Sequence, residues 1–307
     1  MKVLVTGASG FIGSHLCNSL AASGIPFRRA VRRPEQCDVD AAAVGDIDGA
    51  TDWSQALAGI TVVVHLAARV HVLREEAADP LAAFRRVNAE GTARLARQAA
   101  EAGVHRFIFV STIKVNGEET FARPFGPDDQ PAPVDPYSVS KLEAEDALGR
   151  IGRESGMEVV ILRPPLVYGR GAGGNFARLV RLVRQGWYLP LGSVRNQRSL
   201  VGVENFCSLI VLCLTHPAAA SRVLLVSDGR DLSTPELVRA IAQACGVTPL
   251  LLPFPPALIH LLAGLSGRTE EIRRLTGSLQ IDLSQTRRLL DWQPPVSLED
   301  GLRLSVR

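Results

Sequence analysis

Tyr137 and Lys141 stand four residues apart in "PYSVSKLEAE", a spacing that puts both on one face of a helix. A phenol ionises near about pH 10 and is a poor base at neutrality. An ammonium one turn away lowers that value and offers compact donors to a hydroxyl, so the pair suits proton transfer at an alcohol or its ketone. The lysine is a selective choice. Of 34 basic residues only Lys2, Lys114 and Lys141 are lysines, and a planar guanidinium with its fixed fork is a different tool. Tyr-x-x-x-Lys also arises by chance on helix surfaces, so its meaning depends on the elements around it.

The strongest of these is "VLVTGASGFIG", which sets Gly7, Gly10 and Gly13 after a strand-like run and at the opening of a helix. The first glycine permits a tight turn and the second lets a pyrophosphate approach the backbone. The third lets helix and strand pack closely, and the helix N-terminus attracts the phosphates. The spacing is G-x-x-G-x-x-G, and its place at the first strand–helix junction points to a dinucleotide. The second strand-like run ends in Val31, Arg32 and Arg33, without the acid that holds ribose hydroxyls. Either arginine can pair with a 2′-phosphate or stack on adenine, which favours NADP(H) over NAD(H); a solvated basic loop is the alternative. Asp46 in "GDI" can reach the adenine edge, and "HLAA" closes the next strand with small residues, Leu66, Ala67 and Ala68, beside a cofactor.

Length and composition set the frame. A chain of 307 residues with 46% hydrophobic and 21% charged residues buries a large core in one or two domains. A formal charge of +3 with dispersed arginines excludes a nucleic-acid footprint. Five cysteines without metal-ligand spacing suggest reduced thiols and a cytoplasmic setting. His15, His65, His71, His105, His216 and His260 are dispersed, so no metal site is expected. "FCSLIVLCLTH" is too short to span a bilayer and "PLLLPFPPALIHLLAGL" is broken by four prolines, so no integral membrane segment is expected. A packed helix is the favoured reading of the second, ahead of a peripheral membrane contact.

β-Branched runs at 2–7, 26–32, 61–67, 106–112, 158–164 and 222–228 read as buried strands. Helix-like segments near 12–23, 52–58, 80–102, 136–155, 175–185, 204–215 and 234–245 lie between and after them. Such alternation implies right-handed crossovers and a doubly wound parallel sheet. Gly and Pro clusters after Pro164 suggest a smaller cap built from discontinuous C-terminal segments.

The sequence resembles the extended short-chain dehydrogenase/reductase family, in the branch acting on nucleotide sugars. The matching stretches, in family order, are "TGASGFIGSH", "GDI", "HLAA", "VNAEGT", "VSTIKVNG", "PYSVSKLEAE" and "LRPPLVYGRG". The resemblance implies a Rossmann-type α/β domain over 1–165, with 200–228 returning to it, and a nucleotide-sugar-binding cap over 166–199 and 229–307. It implies cofactor contacts from Gly7, Gly10, Phe11, Ile12, Gly13, Arg32, Arg33, Asp46, Ile47, Leu66, Ala67, Ala68, Asn88, Tyr137, Lys141 and Pro164. For Asn88 a local cap and a backbone-positioning role stand equal. The third catalytic hydroxyl is Thr112, 25 residues before Tyr137, with Ser111 as a strand-end residue. Thr112 would hold the sugar oxygen while Tyr137 moves its proton and Lys141 grips the nicotinamide ribose.

The same loop narrows the reaction. Dehydrating members resemble Ser-Thr-Asp-Glu-Val-Tyr-Gly there, whereas this chain has Ile113 and Lys114 in the acid places and Asn116 before the final glycine. What remains is hydride exchange at carbon 4 of a UDP-sugar. The loop and "GSLQIDLSQTRRLLDWQPP" look most like reductases of UDP-4-keto-6-deoxy-N-acetylhexosamines in surface polysaccharide synthesis. A UDP-glucose or UDP-N-acetylglucosamine 4-epimerase with retained NAD is the close alternative, and a non-catalytic cofactor-binding regulator the remote one. The resemblance implies a substrate site of Thr112, Lys114, Asn175, Leu191, Arg198 and Arg274, with Leu189 and Leu191 flanking a flat base through backbone groups. Asp282 reads as a helix cap. Alanine-rich "EGTARLARQAAEAG" fits either a homodimer contact or a helix buried within the monomer.

Overall fold

The central strands are near-continuous apolar runs whose side chains alternate in direction, so each strand feeds two cores at once. In the computed structural model, which describes residues 1–33, 35, 40–70, 79–265 and 269–306, nine strands form. They are β1 (Val3–Thr6), β2 (Phe27–Val31), β3 (Ala41–Ala43), β4 (Val62–His65), β5 (Arg106–Val110), β6 (Glu158–Arg163), β7 (Leu166–Tyr168), β8 (Leu200–Gly202) and β9 (Val223–Leu225). Seven make one parallel sheet in the order β3-β2-β1-β4-β5-β6-β9, while β7 and β8 pair separately. Val3, Val5, Val62, Val64, Ile108 and Leu162 face one core, and Leu4, Val63, Phe107, Phe109 and Ile161 face the other. This is the doubly wound arrangement, with order reversing between β1 and β4.

Six strands fall in the runs expected to be strands. β3 does not: three alanines carry little strand propensity, and the segment extends because its backbone pairs with Arg29–Val31. Twelve helices connect and flank the strands among the described residues: α1 (Phe11–Ala22), α2 (Ser54–Leu57), α3 (Pro80–Arg85), α4 (Thr92–Glu101), α5 (Pro136–Ser155), α6 (Gly174–Arg184), α7 (Val203–Cys213), α8 (Thr234–Cys245), α9 (Pro256–Leu265), α10 (Thr269–Thr276), α11 (Ser284–Leu290) and α12 (Leu298–Ser305). α3 and α4 are joined by a π-helical turn, Arg86–Gly91, which makes 80–101 one continuous helical stretch. The alanine face of α4 (Ala93, Ala96, Ala99) is buried within this chain, in the core that α5 shares through Ala144 and Leu148.

α5 is sharply bounded by its own sequence. Pro136 occupies its first turn, and Asp135 and Ser138 form a reciprocal capping box. Gly156 closes it with φ +76°. A third core lies away from the sheet, where Phe176, Leu179 and Val183 of α6 meet Val238 and Ile241 of α8 and Leu302 of α12. Residues 120–125 and 278–282 run alongside one another through backbone hydrogen bonds. No helix among the described residues is long and apolar enough to cross a membrane.

Candidate active site

The crevice at the carboxyl ends of β1 and β4, where the strand order reverses, is where an open α/β sheet takes a ligand. Gly7 lies there with φ +66°, and a Cβ on it would meet the Ala67 backbone nitrogen at 2.8 Å. A Cβ on Gly13 would come within 2.1 Å of the Gly7 carbonyl oxygen. Gly10 caps α1 without any side chain over the helix end, so the first-turn amides of Phe11, Ile12 and Gly13 are left for an anion. These features fit a dinucleotide pyrophosphate.

A buried polar knot fixes this crevice. His65 Nε2 is 3.0 Å from Thr92 Oγ1, and His65 Nδ1 is 2.7 Å from Thr6 Oγ1. Thr92 already donates to the Asn88 carbonyl, so its oxygen accepts from Nε2–H. Nδ1 must then accept from Thr6, whose oxygen also accepts from the Leu66 and Ala67 amides. Burial, with a lesser push from the Lys141 charge, takes His65 down to about 3 and keeps it neutral. Asn88 accepts from the Arg69 amide and donates to the Arg69 carbonyl and Ser140 Oγ. It is therefore no cap; it ties the end of β4 to α5.

Tyr137 and Lys141 come from the first two turns of α5, beside the end of β5. The Tyr137 ring meets Phe84 edge-on, 6.1 Å between centroids. Lys141 is buried, donates to the Val110 carbonyl at 2.8 Å and sits 4.4 Å over the Phe109 ring. Burial pulls its ammonium down to about 7, although Glu145 resists. Tyr137 departs from expectation. Burial and then the Asp135 charge push the phenol above its ordinary value, whereas the sequence suggested that Lys141 would lower it. The reason is burial: the phenol lies in a dry place beside the Asp135 charge, while Lys141 turns inward to the Val110 carbonyl. Thr112 follows β5, and its Oγ1 accepts from the Lys114 amide at 3.3 Å.

Beneath this group lies a buried ion pair. Arg163 donates to Glu145 from Nε at 3.0 Å and from Nη2 at 2.5 Å, and to Asn116 Oδ1 from Nη1 at 3.0 Å. Ser111 Oγ donates to the same carboxylate, so it is a structural residue at the strand end. Asn116 also donates to the Gly126 carbonyl, so both ends of its amide are engaged within the chain.

The remaining candidates divide. Lys114 is held between Glu118 at 2.9 Å and Asp135 at 2.6 Å, and so braces the α5 cap. Arg198 donates to the Gly277 carbonyl at 2.9 Å. Burial pulls its guanidinium below the usual arginine value, against Glu119 and Glu118 and with help from the nearby Arg274 charge. The Arg274 charge acts on Arg198, so the fold does bring these two arginines together, and Arg274 Nε is buried without a hydrogen-bond partner. Asn175 is exposed near the start of α6. Leu189 and Leu191 are core residues, and the Leu189 N–H and C=O bond the 250–252 segment, not an open slot. Arg32 forms an exposed 3.1 Å pair with Asp46, next to Ile47. Pro164 accepts from the Ile113 amide. Asp282 accepts from the Ser284 amide but stands one residue before the α11 N-cap, Leu283, so it is not the cap residue the sequence suggested. Cys17, Cys207, Cys213 and Cys245 are free thiols, while Cys37 and His71 lie outside the described residues.

Residues 3–226 match the NAD dependent epimerase/dehydratase family. This chain is a member of that family. Over its whole length it is 47% identical to a UDP-glucose 4-epimerase of Vibrio cholerae, covering 94% of that protein. It is 28% identical to a GDP-6-deoxy-D-mannose reductase of Pseudomonas aeruginosa, over 98% of this chain and 95% of that one. The UDP-glucose 4-epimerase of Thermotoga maritima, solved with UDP-glucose, superposes with a TM-score of 0.78 at 25% identity, over 100% of this chain and 97% of that one.

Within this family member, sequence reasoning passed over His65, Thr6, Thr92, Ser140, Glu145 and Arg163 as site residues. One signal was available for two of them. Glu145 follows Lys141 by one more turn, and Arg163 is a charge that ends the apolar run Val159–Leu162 of a strand. The partners of His65 lie 59 and 27 residues away and give no local pattern.

Proposed function

We propose that this chain exchanges a hydride at carbon 4 of a UDP-sugar and works as a 4-epimerase. One observation carries the chemistry: Tyr137 and a buried Lys141 share the start of α5 beside Thr112, in a loop with Ile113 and Lys114 where dehydration would need acids. Similarity over the full chain to the Vibrio UDP-glucose 4-epimerase supports the epimerase. That moves it ahead of the reductase the sequence alone favours. Reduction of a UDP-4-keto-6-deoxy-N-acetylhexosamine is the second reading, supported by Arg32 and Arg33 where a 2′-phosphate would be met.

Backbone amides of Phe11, Ile12 and Gly13 would hold the cofactor diphosphate, with Gly7 and Gly10 admitting it. Arg32, Arg33, Asp46 and Ile47 would hold the adenosine half; Leu66, Ala67, Ala68, Asn88 and Pro164 would border the nicotinamide half. When bound, NAD(P) supplies the ring carbon that takes and returns hydride. Tyr137 Oη accepts and returns the proton of the sugar hydroxyl, Thr112 Oγ1 fixes its oxygen, and Lys141 holds a ribose hydroxyl. Arg198 and Arg274 would take the sugar diphosphate, and Asn175 would lie beside it. We infer a homodimer, in the cytoplasm, through the outer faces of α4 and α5; light scattering measures its assembly state.

The test uses purified protein with UDP-glucose or UDP-N-acetylglucosamine and no added cofactor, the product being identified by proton NMR. In parallel it is given UDP-4-keto-6-deoxy-N-acetylglucosamine with NADPH or NADH. Interconversion with the galacto epimer establishes the epimerase. Stoichiometric oxidation of the reduced nicotinamide, with a 6-deoxy sugar formed, establishes the reductase instead. Inactivity in both arms refutes carbon-4 chemistry on these sugars.

A further inference from the structure

Two arginines placed for one diphosphate repel each other, so the fold must hold them in position. Arg198 and Arg274 stand on separate segments, and the Arg274 charge opposes that of Arg198. Arg198 is fixed by its backbone. Its N–H and C=O both pair with Leu232, and the next residue, Ser199, donates from its amide to the Leu279 carbonyl on the other side. Arg274 has no such frame. It rides on α10, which offers the third core one partly buried residue, Ile272, and none of whose described side chains is fully buried. Apolar packing therefore does little to place this helix.

The end of α10 is held by polar contacts instead. The last turn of a helix leaves carbonyls without intrahelical partners, and here Asn196 and Thr234 engage them. Asn196 Nδ2 lies 3.2 Å from the Leu275 carbonyl and 2.9 Å from the Gly277 carbonyl. Thr234 Oγ1 donates to the Leu275 carbonyl at 2.5 Å, so its oxygen accepts from Asn196 Nδ2 at 3.1 Å. Asn196 Oδ1 accepts from the Thr234 amide at 2.9 Å. A backbone N–H thus faces one end of the Asn196 amide and two carbonyls face the other, a demand that an uncharged amide meets and a carboxylate does not. Asn196 is 3% exposed, so a lost bond strands a buried polar group. Arg198 Nη1 also donates to the Gly277 carbonyl. The end of α10, Asn196 and Arg198 therefore meet at one oxygen.

We propose that Asn196 is a positioning residue for substrate binding: by clamping the end of α10 it sets Arg274 within reach of the diphosphate that Arg198 takes. The inference rests on the proposed reading of these two arginines as the sugar-diphosphate site. Arg274 Nε, buried without a hydrogen-bond partner, is the donor held in place.

UDP is the probe, titrated calorimetrically into the full-length protein, while NAD(P)H binding is followed by fluorescence. N196L should raise the Kd for UDP about tenfold, the loss expected for one misplaced charge-assisted hydrogen bond. NAD(P)H binding should be unchanged, and in turnover KM for the sugar nucleotide should rise with kcat little altered. T234V, which removes only the hydroxyl bond to Leu275, should act in the same direction and less strongly. The deciding measurement is a cycle with Arg274. If Asn196 acts through Arg274, N196L costs little further affinity in the R274M background. Equal losses in both backgrounds overturn the proposal, because a general loosening of this region would be additive. So does an unchanged Kd for N196L. Where N196L melts too low to titrate, T234V and T234V/R274M complete the same cycle with the same two refuting outcomes. Wild-type UDP binding by both R198M and R274M would instead overturn the diphosphate reading itself, and the proposal with it.

Discussion

Glu145→Gln tests the arrangement beneath the site. The substitution keeps the side-chain shape and removes one charge, leaving the Arg163 guanidinium facing a neutral amide. Both side chains are about 95% buried, at 4 and 5% exposure, and they share two hydrogen bonds at 3.0 and 2.5 Å. Removing one partner of such a pair costs about 3–5 kcal/mol, because the other charge stays buried and uncompensated. At about 2 °C per kcal/mol, the low end for a long chain, the melting temperature falls by about 6–10 °C. Calorimetry at neutral pH, with circular dichroism as the second probe, measures it. The double variant E145L/R163M separates the pair from mere packing, since replacing both charges restores most of the loss. An unchanged melting temperature for E145Q, or a double variant whose loss equals the sum of E145L and R163M, would refute a desolvated bidentate pair.

Tyr137→Phe should lower kcat by about 10²–10⁴ with little change in melting temperature, and Thr112→Val by about tenfold, in steady-state assays. Lys141→Met should be more stable than the wild type at low pH. The folded lysine titrates at about 7 against an ordinary 10.5, so the unfolded chain binds more protons between these values and wild-type stability rises with pH there. The penalty is complete below about 7, and the gap between variant and wild type in melting scans should close as pH climbs above it. Gly13→Ala should weaken NAD(P)H binding in fluorescence titration, because its Cβ would stand 2.1 Å from the Gly7 oxygen. Gly149→Ala on α5, whose Cβ would meet only the Arg153 tip at 3.5 Å, should leave binding intact.

Much of the fold was legible because its signals are local. The segment 234–245 is α8 as the sequence suggests, bounded by the Ser233 capping box and by Gly246. The apolar runs became strands because β-branched residues fill a sheet buried on both faces. Residues 120–125 and 278–282 were illegible, since they are held by backbone bonds between segments more than 150 residues apart. The site divides likewise. The glycine loop and Tyr137-x-x-x-Lys141 are short motifs with fixed geometry. The family resemblance gave Leu189 a base-flanking backbone role, while its N–H and C=O bond Leu250 and Leu252, a segment to which no local pattern points. The direction of the Tyr137 shift was misread because spacing reveals which charges are near but not how dry the place is.

That dryness gives Lys114 its meaning. Asp135 must be a carboxylate to cap α5, two residues before the phenol, and its charge helps to hold the phenol above its ordinary value. Burial pushes Asp135 itself up, yet the Lys114 hydrogen bond and the Ser138 amide bring it below the usual carboxylate range, so the charge persists. Lys114, 2.6 Å away, partly neutralises the field that this charge casts on Tyr137. An acid in its place would free Asp135 of that partner and add a second negative charge beside the phenol. Lys114, which stands where a dehydrating loop would be expected to carry an acid, is thus also the partner of the charge that helps to raise Tyr137, so an acid at 114 should change both properties together.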